Sequence, residues 1–198
     1  MIGVLVSGEG TNLQALIDAG LPVLAVASSK RGVRALERAE RAGIRTATFP
    51  LEEYLDRDAH DEAMAGWLEG NGVSLVVCAG YMQLLRPCFL DRFPRRVVNV
   101  HPALLPAFPG AHPVEDTLAA GVLETGATVH LVDEGVDTGP VLRQEKAPVL
   151  PGDTVETLRS RVQALEHRLL PEVVRELIGE ARTSASSLTV VSRKARGS

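Results

Sequence analysis

The chain has 198 residues, of which 45% are hydrophobic and 23% are charged, a balance typical of one globular domain rather than a disordered chain. Its net charge of −4 argues against a surface that coats nucleic acid, and no apolar run approaches the ~20 residues of a membrane-spanning helix. Cys78 and Cys88 are too few for a disulfide framework, and the N-terminal residues lack the basic region of a secretory signal. We therefore expect a cytoplasmic protein without nucleic-acid or membrane partners.

The first half of the chain alternates short apolar runs with helical patterns, which predicts parallel strands joined by helices. Strands are expected at 2–6, 22–27, 45–49 and 73–79, and helices at 11–19, 32–42 and 56–69. The last of these strands has almost no polar content, as expected for a central strand that is buried on both faces.

The second half changes character after a strand predicted at 97–100. The following stretch holds several prolines, which no helix would tolerate. The remaining elements are expected to be a short helix at 113–120, a hairpin of strands at 127–132 and 141–149, and a long helix that Asp153 caps and that runs to about residue 178. The prediction is a single α/β domain, doubly wound and Rossmann-like, with a mostly parallel sheet, a later antiparallel extension and a long C-terminal helix.

The last 18 residues, 181–198, are small, polar and basic. We expect residues 1–180 to form the domain and this segment to be a loose tail, with 188–191 as an added edge strand.

The loop 7–12, with the sequence SGEGTN, joins the first strand to the first helix. Free N–H groups at a helix N-terminus favour an anion. The pattern is neither the GxGxxG of dinucleotide-binding sites nor the lysine-containing loop of nucleoside triphosphatases. It therefore suits a single phosphate on a small molecule better than a dinucleotide or ATP. The alternative is a plain turn with Thr11 as the N-cap. If phosphate binds, Glu9 must point away from it.

Asn99 and His101 alternate along the predicted strand and should share one sheet face at its carboxyl end. Ligands bind at that end of open α/β sheets. A side-chain amide and an imidazole together supply a hydrogen-bond donor and a proton shuttle, which attack on a carbonyl requires. The alternative is a histidine that is satisfied within a turn at the end of the strand.

The segment 133–140, DEGVDTGP, connects the two strands of the predicted hairpin. It can be a plain polar turn, and its spacing does not match a calcium-binding EF-hand loop. If Asp137 lies beside His101, it would favour the imidazolium and raise the pKa of that histidine. His130 could face either the same cleft or the core. The other histidines, including His60 on a polar helix face, are expected to be structural.

Four segments together resemble a known family: SGEGTNLQAL near the start, AGYMQLL at 79–85, NVHPALLPAFPGAHP at 99–113 and DEGVDTGPVL at 133–142. They are similar to the phosphoribosylglycinamide formyltransferases over about residues 1–178. This family of folate-dependent enzymes moves a formyl group from 10-formyltetrahydrofolate to glycinamide ribonucleotide in purine biosynthesis. The resemblance implies that 10-formyltetrahydrofolate is the co-substrate and that no metal is needed.

The resemblance also implies roles for individual residues. The catalytic residues are Asn99, His101 and Asp137. The residues implied to bind the ribonucleotide are Gly10, Thr11, Asn12, Gln163 and Glu166. The residues implied to bind folate are Arg57, Met82, Gln83, Leu84, Leu85, Asn99, Asp133, Glu134, Gly135, Val136 and Asp137. Residues 1–100 would then be the phosphate-binding half of the domain, residues 101–180 the folate-binding and catalytic half, and Leu105-Pro106 a cis peptide.

Two positions depart from the family pattern. Gln83 stands where relatives can carry arginine, and Ala103 where they often carry serine, so folate affinity is affected more than the reaction class. Three alternative functions are considered. A methionyl-tRNA formyltransferase would need an RNA-binding domain and a basic surface, and a formyltetrahydrofolate hydrolase would need an extra N-terminal domain. The third alternative is a non-enzymatic nucleotide-binding module. The partners are expected to be small-molecule substrates, and the chain to be a monomer or a homodimer.

Overall fold

The computed structural model describes the backbone of residues 1–194 and the side chains of residues 1–180. The strands of this part are β1 (Ile2–Val6), β2 (Val23–Ser28), β3 (Arg45–Thr48), β4 (Leu75–Cys78), β5 (Val97–His101), β6 (Glu124–Leu131) and β7 (Val141–Pro148). The α-helices are α1 (Thr11–Asp18), α2 (Arg34–Arg41), α3 (Arg57–Gly70), α4 (Pro87–Leu90), α5 (Pro113–Ala119) and α6 (Val155–Lys194). Helix α4 and a 3₁₀-helix at Leu51–Glu53 were not predicted, because elements this short carry no measurable periodicity.

The seven strands in the described part form one sheet in the order β3-β2-β1-β4-β5-β6-β7. Strands β3, β2, β1, β4 and β5 are parallel to one another, whereas β6 runs antiparallel to β5, and β7 runs antiparallel to β6. This arrangement confirms the predicted α/β fold with a parallel core and a later antiparallel extension. Within the described residues, no helix is both long and apolar enough to cross a membrane.

Alternate residues of the central strands bury their side chains on opposite faces of the sheet, as the two-residue period of a strand requires. Val4 packs with α1, α2 and α6 on one face, and Leu5 packs with α3 and α4 on the other. Two apolar layers therefore enclose the central strands β1, β2 and β4, which explains why these three strands are almost entirely apolar.

Helix α6 differs from its prediction at both ends. Its N-cap is Thr154, whose Oγ1 accepts a hydrogen bond from the backbone N–H of Thr157 at 3.3 Å. The predicted cap, Asp153, instead accepts from the backbone N–H of Leu150 and forms an ion pair with Arg161. At the other end the helix continues to Lys194, because neither glycine nor proline follows Gly179 before residue 197.

The edge strand predicted at 188–191 is therefore wrong, since these residues are helical. The division into a domain of residues 1–180 and a tail of residues 181–198 stays a prediction. Residues 195–198 of that tail lie outside the described part of the chain.

Candidate active site

A cavity of about 460 Å³ opens at the carboxyl ends of β1, β4 and β5. The strand order reverses between β1 and β4, and ligands of open α/β sheets bind at such switch points. The cavity is lined by the three predicted catalytic residues, by all five predicted ribonucleotide-binding residues and by most of the predicted folate-binding residues. The fold thus brings together residues that are far apart in the sequence.

The loop after β1 forms one end of this cavity. Gly10 has a φ of +73° and is the N-cap of α1 without a side-chain capping bond, so the expectation that Thr11 is the N-cap is wrong. A Cβ on Gly10 would lie 2.6 Å from the Cβ of Ala35, so both the conformation and the space require glycine. Glu9 points outward to Arg34, with Oε2 3.2 Å from Nη1, as a phosphate site here requires.

The first turn of α1 presents N–H groups that have no helical acceptor. Thr11 Oγ1 accepts a hydrogen bond from Gln163 Nε2 at 2.8 Å, and Asn12 Nδ2 donates to Glu166 Oε2 at 3.4 Å. Helix α6 is thereby joined to the loop at the residues that the family resemblance singled out.

Asn99 and His101 lie on the face of β5 that lines the cavity, while Val98 and Val100 face the core. The His101 ring is almost completely buried, and its Nε2 donates a hydrogen bond to the carbonyl oxygen of Phe108 at 2.7 Å. The chain reaches Phe108 through a cis peptide at Leu105-Pro106, as the resemblance implies.

Asp137 lies in the loop between β6 and β7 with a φ of +53°, a left-handed conformation that aspartate tolerates better than most residues. Its Oδ2 lies 3.3 Å from Nδ1 of His101 and accepts a hydrogen bond from the Gly110 amide at 2.9 Å. Its Oδ1 accepts a hydrogen bond from Asn99 Nδ2 at 3.2 Å. The DEGVDTGP segment therefore does more than form a turn: it carries a carboxylate to the other two predicted catalytic residues.

His130 is a fourth member of this group. Its Nδ1 lies 2.8 Å from the carbonyl oxygen of Leu131, so this nitrogen carries the proton, and its Nε2 lies 3.2 Å from Asn99 Nδ2. The side chain faces the cleft, which resolves the two orientations that the sequence left open. Together, His130 and Asp137 fix the orientation of the Asn99 amide.

The electrostatics of His101 differ from the expectation. Burial lowers its pKa below the ordinary value for histidine, and this effect outweighs the opposing influence of the Phe108 carbonyl and Asp137. The expected net rise is therefore wrong, although Asp137 does act in the expected direction. Burial alone would raise the pKa of Asp137, but its hydrogen bonds and the neighbouring imidazoles hold it below the ordinary value.

The segment 79–86 after β4 forms the apolar wall of the cavity, where Met82 and Leu84 remain partly exposed. Gln83 Oε1 accepts a hydrogen bond from Arg57 Nη1, so Gln83 orients a neighbouring arginine. Arg57 itself and Glu134 do not line the cavity.

Burial raises the pKa of Glu166 to about 7, and the Asn12 hydrogen bond opposes the rise only in part. Such a carboxyl is largely protonated below neutral pH. A neutral Glu166 would not repel an anion bound at the adjacent loop.

Glu166→Gln is expected to change the pH dependence of stability. A carboxyl whose pKa is raised on folding destabilises the protein as the pH rises from about 4.5 to beyond 7. Glutamine has no proton to lose, so the variant does not lose stability in this way. The difference in free energy of unfolding between variant and parent should therefore shift in favour of the variant by up to about 3 kcal/mol from pH 5 to pH 8. Urea denaturation at both pH values measures this, and a difference that does not change with pH would contradict it.

Several residues of the site were not predicted from the sequence. Phe108 and Gly110 contribute through their backbone, and Cys78 and Tyr81 line the cavity. The proline-rich composition of 101–113 marks an irregular loop, but no sequence signal shows where its carbonyl and amide groups point. Among the described residues, no group of three or more histidine, cysteine, aspartate or glutamate side chains is arranged to hold a metal ion.

The fold and the site define an α/β enzyme of the formyl transferase class. The family model for formyl transferases matches residues 1–174, and the chain belongs to that family.

Two relatives are similar to this chain over most of its length. The chain is 46% identical over 195 residues to the phosphoribosylglycinamide formyltransferase of Mycobacterium tuberculosis strain H37Rv, covering 96% of this chain and 91% of the relative. It is 42% identical over 176 residues to the human trifunctional purine biosynthetic protein adenosine-3, covering 86% of this chain and 17% of that protein.

Among solved structures, glycinamide ribonucleotide transformylase 1 from Symbiobacterium toebii superimposes with a TM-score of 0.88 at 48% identity, covering 91% of this chain and 88% of that one. Phosphoribosylglycinamide formyltransferase from Streptococcus pneumoniae TIGR4 has a TM-score of 0.86 at 42% identity, covering 89% and 98%.

Proposed function

We propose that this protein transfers the formyl group of 10-formyltetrahydrofolate to the amine of glycinamide ribonucleotide in purine biosynthesis. The convergence of Asn99, His101 and Asp137 in one cavity carries the proposal, because formyl transfer requires an oxyanion donor and a proton carrier at the same point. The protein would act in the cytoplasm on small molecules, as a monomer or homodimer, without nucleic-acid or membrane partners.

In the proposed reaction, the amine nitrogen attacks the formyl carbon and the carbonyl oxygen becomes negative. Asn99 Nδ2 donates a hydrogen bond toward that oxygen. The same amide hydrogens are bonded to His130 and Asp137 in the structure, so they would be shared with the oxygen. His101 is held neutral by burial, so it can accept the proton that leaves the attacking nitrogen. Asp137 then stabilises the imidazolium that forms 3.3 Å away.

The reaction is complete when the bond between the formyl carbon and the folate nitrogen breaks. That nitrogen takes up a proton, either from His101 or through a water molecule, and tetrahydrofolate leaves. His101 thereby returns to its neutral form for the next cycle.

The two substrates would occupy opposite ends of the cavity. The N–H groups of residues 10–12 would bind the phosphate of the ribonucleotide, with Gln163 and Glu166 beside its ribose. The folate would lie against the segment 82–85 and the loop 133–137, with Arg57 and Glu134 outside the lining. With the substrates placed in this way, the amine of the ribonucleotide and the formyl carbon of the folate would meet near His101.

Purified protein should consume 10-formyltetrahydrofolate only when glycinamide ribonucleotide is present. Absorbance of the deformylated folate, recorded with and without the ribonucleotide, measures this dependence. Equal consumption without the ribonucleotide would identify a hydrolase instead and would overturn the proposal.

A further inference from the structure

A buried pair of side chains lies outside the cavity, directly behind its apolar wall. His60 and Asp61 follow each other in α3, and neither is exposed to solvent. His60 Nδ1 lies 2.6 Å from Asp61 Oδ1, and His60 Nε2 donates a hydrogen bond to the carbonyl oxygen of Phe49 at 2.9 Å. The expectation that His60 lies on a polar helix face is therefore wrong.

The second oxygen of Asp61 is directed at the cavity wall. Asp61 Oδ2 accepts a hydrogen bond of 2.7 Å from the backbone N–H of Arg86, the residue that ends the segment 79–86. Asp61 Oδ1 also lies 3.9 Å from Nη2 of Arg57. The same Nη2 donates to the carbonyl oxygen of Leu84 at 2.6 Å. One buried carboxylate thus contacts the wall directly and through an arginine.

The segment 79–86 depends on such contacts because it has no regular secondary structure. Near its middle the segment is held by a hydrogen bond from the backbone N–H of Met82 to Ser7 Oγ at 3.1 Å. The stretch 82–86, which carries the exposed wall residues Met82 and Leu84, is therefore anchored to Ser7 at one end and to Asp61 at the other.

We propose that Asp61, held by His60, is a positioning residue that fixes the segment 82–86 in the shape that binds the folate. The inference rests on the proposed function, since it assigns this segment to the folate. Asp61 touches neither substrate, so its loss should weaken folate binding and leave the chemical step intact.

Asp61→Leu tests the proposal because it removes the acceptor of the Arg86 N–H, keeps the branching and number of side-chain heavy atoms, and leaves no buried charge unpaired. His60 can remain neutral and keep its bond to Phe49. The KM for 10-formyltetrahydrofolate should rise about tenfold or more, while kcat and the KM for the ribonucleotide change less than about threefold.

Asp61→Asn is the conservative variant. Its amide oxygen can accept from the Arg86 N–H while its amide nitrogen donates to neutral His60, so the KM for folate should stay within about threefold of the parent. The matched control is Asp58→Asn, one turn earlier in α3. Asp58 is exposed, and its carboxylate accepts from the side chains of Arg86, through Nε at 2.9 Å, and Cys88, through Sγ at 4.0 Å. It accepts from side chains where Asp61 accepts from the Arg86 backbone, so this variant should have the kinetics of the parent.

A second pair of variants serves if Asp61→Leu does not fold. Arg86→Pro deletes the backbone N–H at a φ of −79°, which proline accepts, whereas Arg86→Ala deletes only the side chain. The KM for folate should rise in Arg86→Pro alone. An equal KM in these two variants would overturn the proposal, and so would an Asp61→Leu protein that melts earlier with an unchanged KM.

Met82→Asp separates this inference from the assignment of the folate site. If Met82→Asp raises the KM for folate and Asp61→Leu does not, the positioning role of Asp61 fails alone. If Met82→Asp leaves the KM for folate unchanged, the segment does not bind folate, and both proposals fail.

Discussion

His101→Ala should lower turnover by about 10²- to 10⁴-fold, the range expected for the loss of a positioned proton carrier. The ring accepts the proton of the attacking amine in the proposed reaction. His130 also lines the cavity, but its unprotonated Nε2 already accepts from Asn99 Nδ2 at 3.2 Å, so it is not placed to replace His101. Steady-state kinetics with both substrates saturating measures kcat, and the KM for the ribonucleotide should barely change.

His112→Ala is the matched control for His101→Ala. This residue is exposed in the proline-rich loop and does not line the cavity, so the variant should turn over at the parental rate. A His101→Ala protein with more than about a tenth of parental kcat would show that another group moves the proton.

Asp137→Asn should lower turnover by roughly 10²-fold, the scale expected for the loss of one preorganised electrostatic contact. The variant keeps the backbone, because asparagine also tolerates the φ of +53°. It loses the charge that stabilises the imidazolium and one of the two oxygens that accept from Gly110 and Asn99.

The same substitution should move the pH profile in a defined direction. Asp137 raises the pKa of His101 against the larger effect of burial, so removing its charge lowers that pKa further. If neutral His101 is the active form, the acidic limb of the kcat profile should move to lower pH, and NMR titration of the His101 ring should move with it. If the pKa of His101 is unchanged in this variant and the activity is full, the segment 133–140 acts only as a hairpin turn.

The parallel half of the fold could be predicted because most of its strands are short apolar runs, and because its helices show a helical period and end near Gly20, Gly43 and Gly70. Asn99 and His101 could be assigned to one face because strands alternate, and that alternation holds for Val98 and Val100 as well. Asp137 could be paired with them only through the family resemblance, because a spacing of 36 residues from His101 carries no geometric information.

The rest depends on tertiary contacts that no local pattern encodes. The Phe108 carbonyl meets His101 in an irregular loop where Phe108 has a φ of +54°, which a residue of this type rarely adopts. The charged neighbours of His60 along the chain indicate an exposed position, yet the ring is buried because Asp61 and Phe49 satisfy both of its nitrogens. The net pKa of His101 likewise depended on burial, which could not be weighed against Asp137 from the sequence.

The central claim is that the formyl group passes directly from the folate to the amine beside Asn99, His101 and Asp137. The most direct measurement uses 10-formyltetrahydrofolate with isotope in the formyl carbon and follows where the label goes. The account predicts label in the formylated ribonucleotide in equal amount to tetrahydrofolate, with none released as formate, and a rate that falls in His101→Ala and Asp137→Asn. Label recovered as formate, or incorporation that persists at the parental rate in these variants, would contradict it.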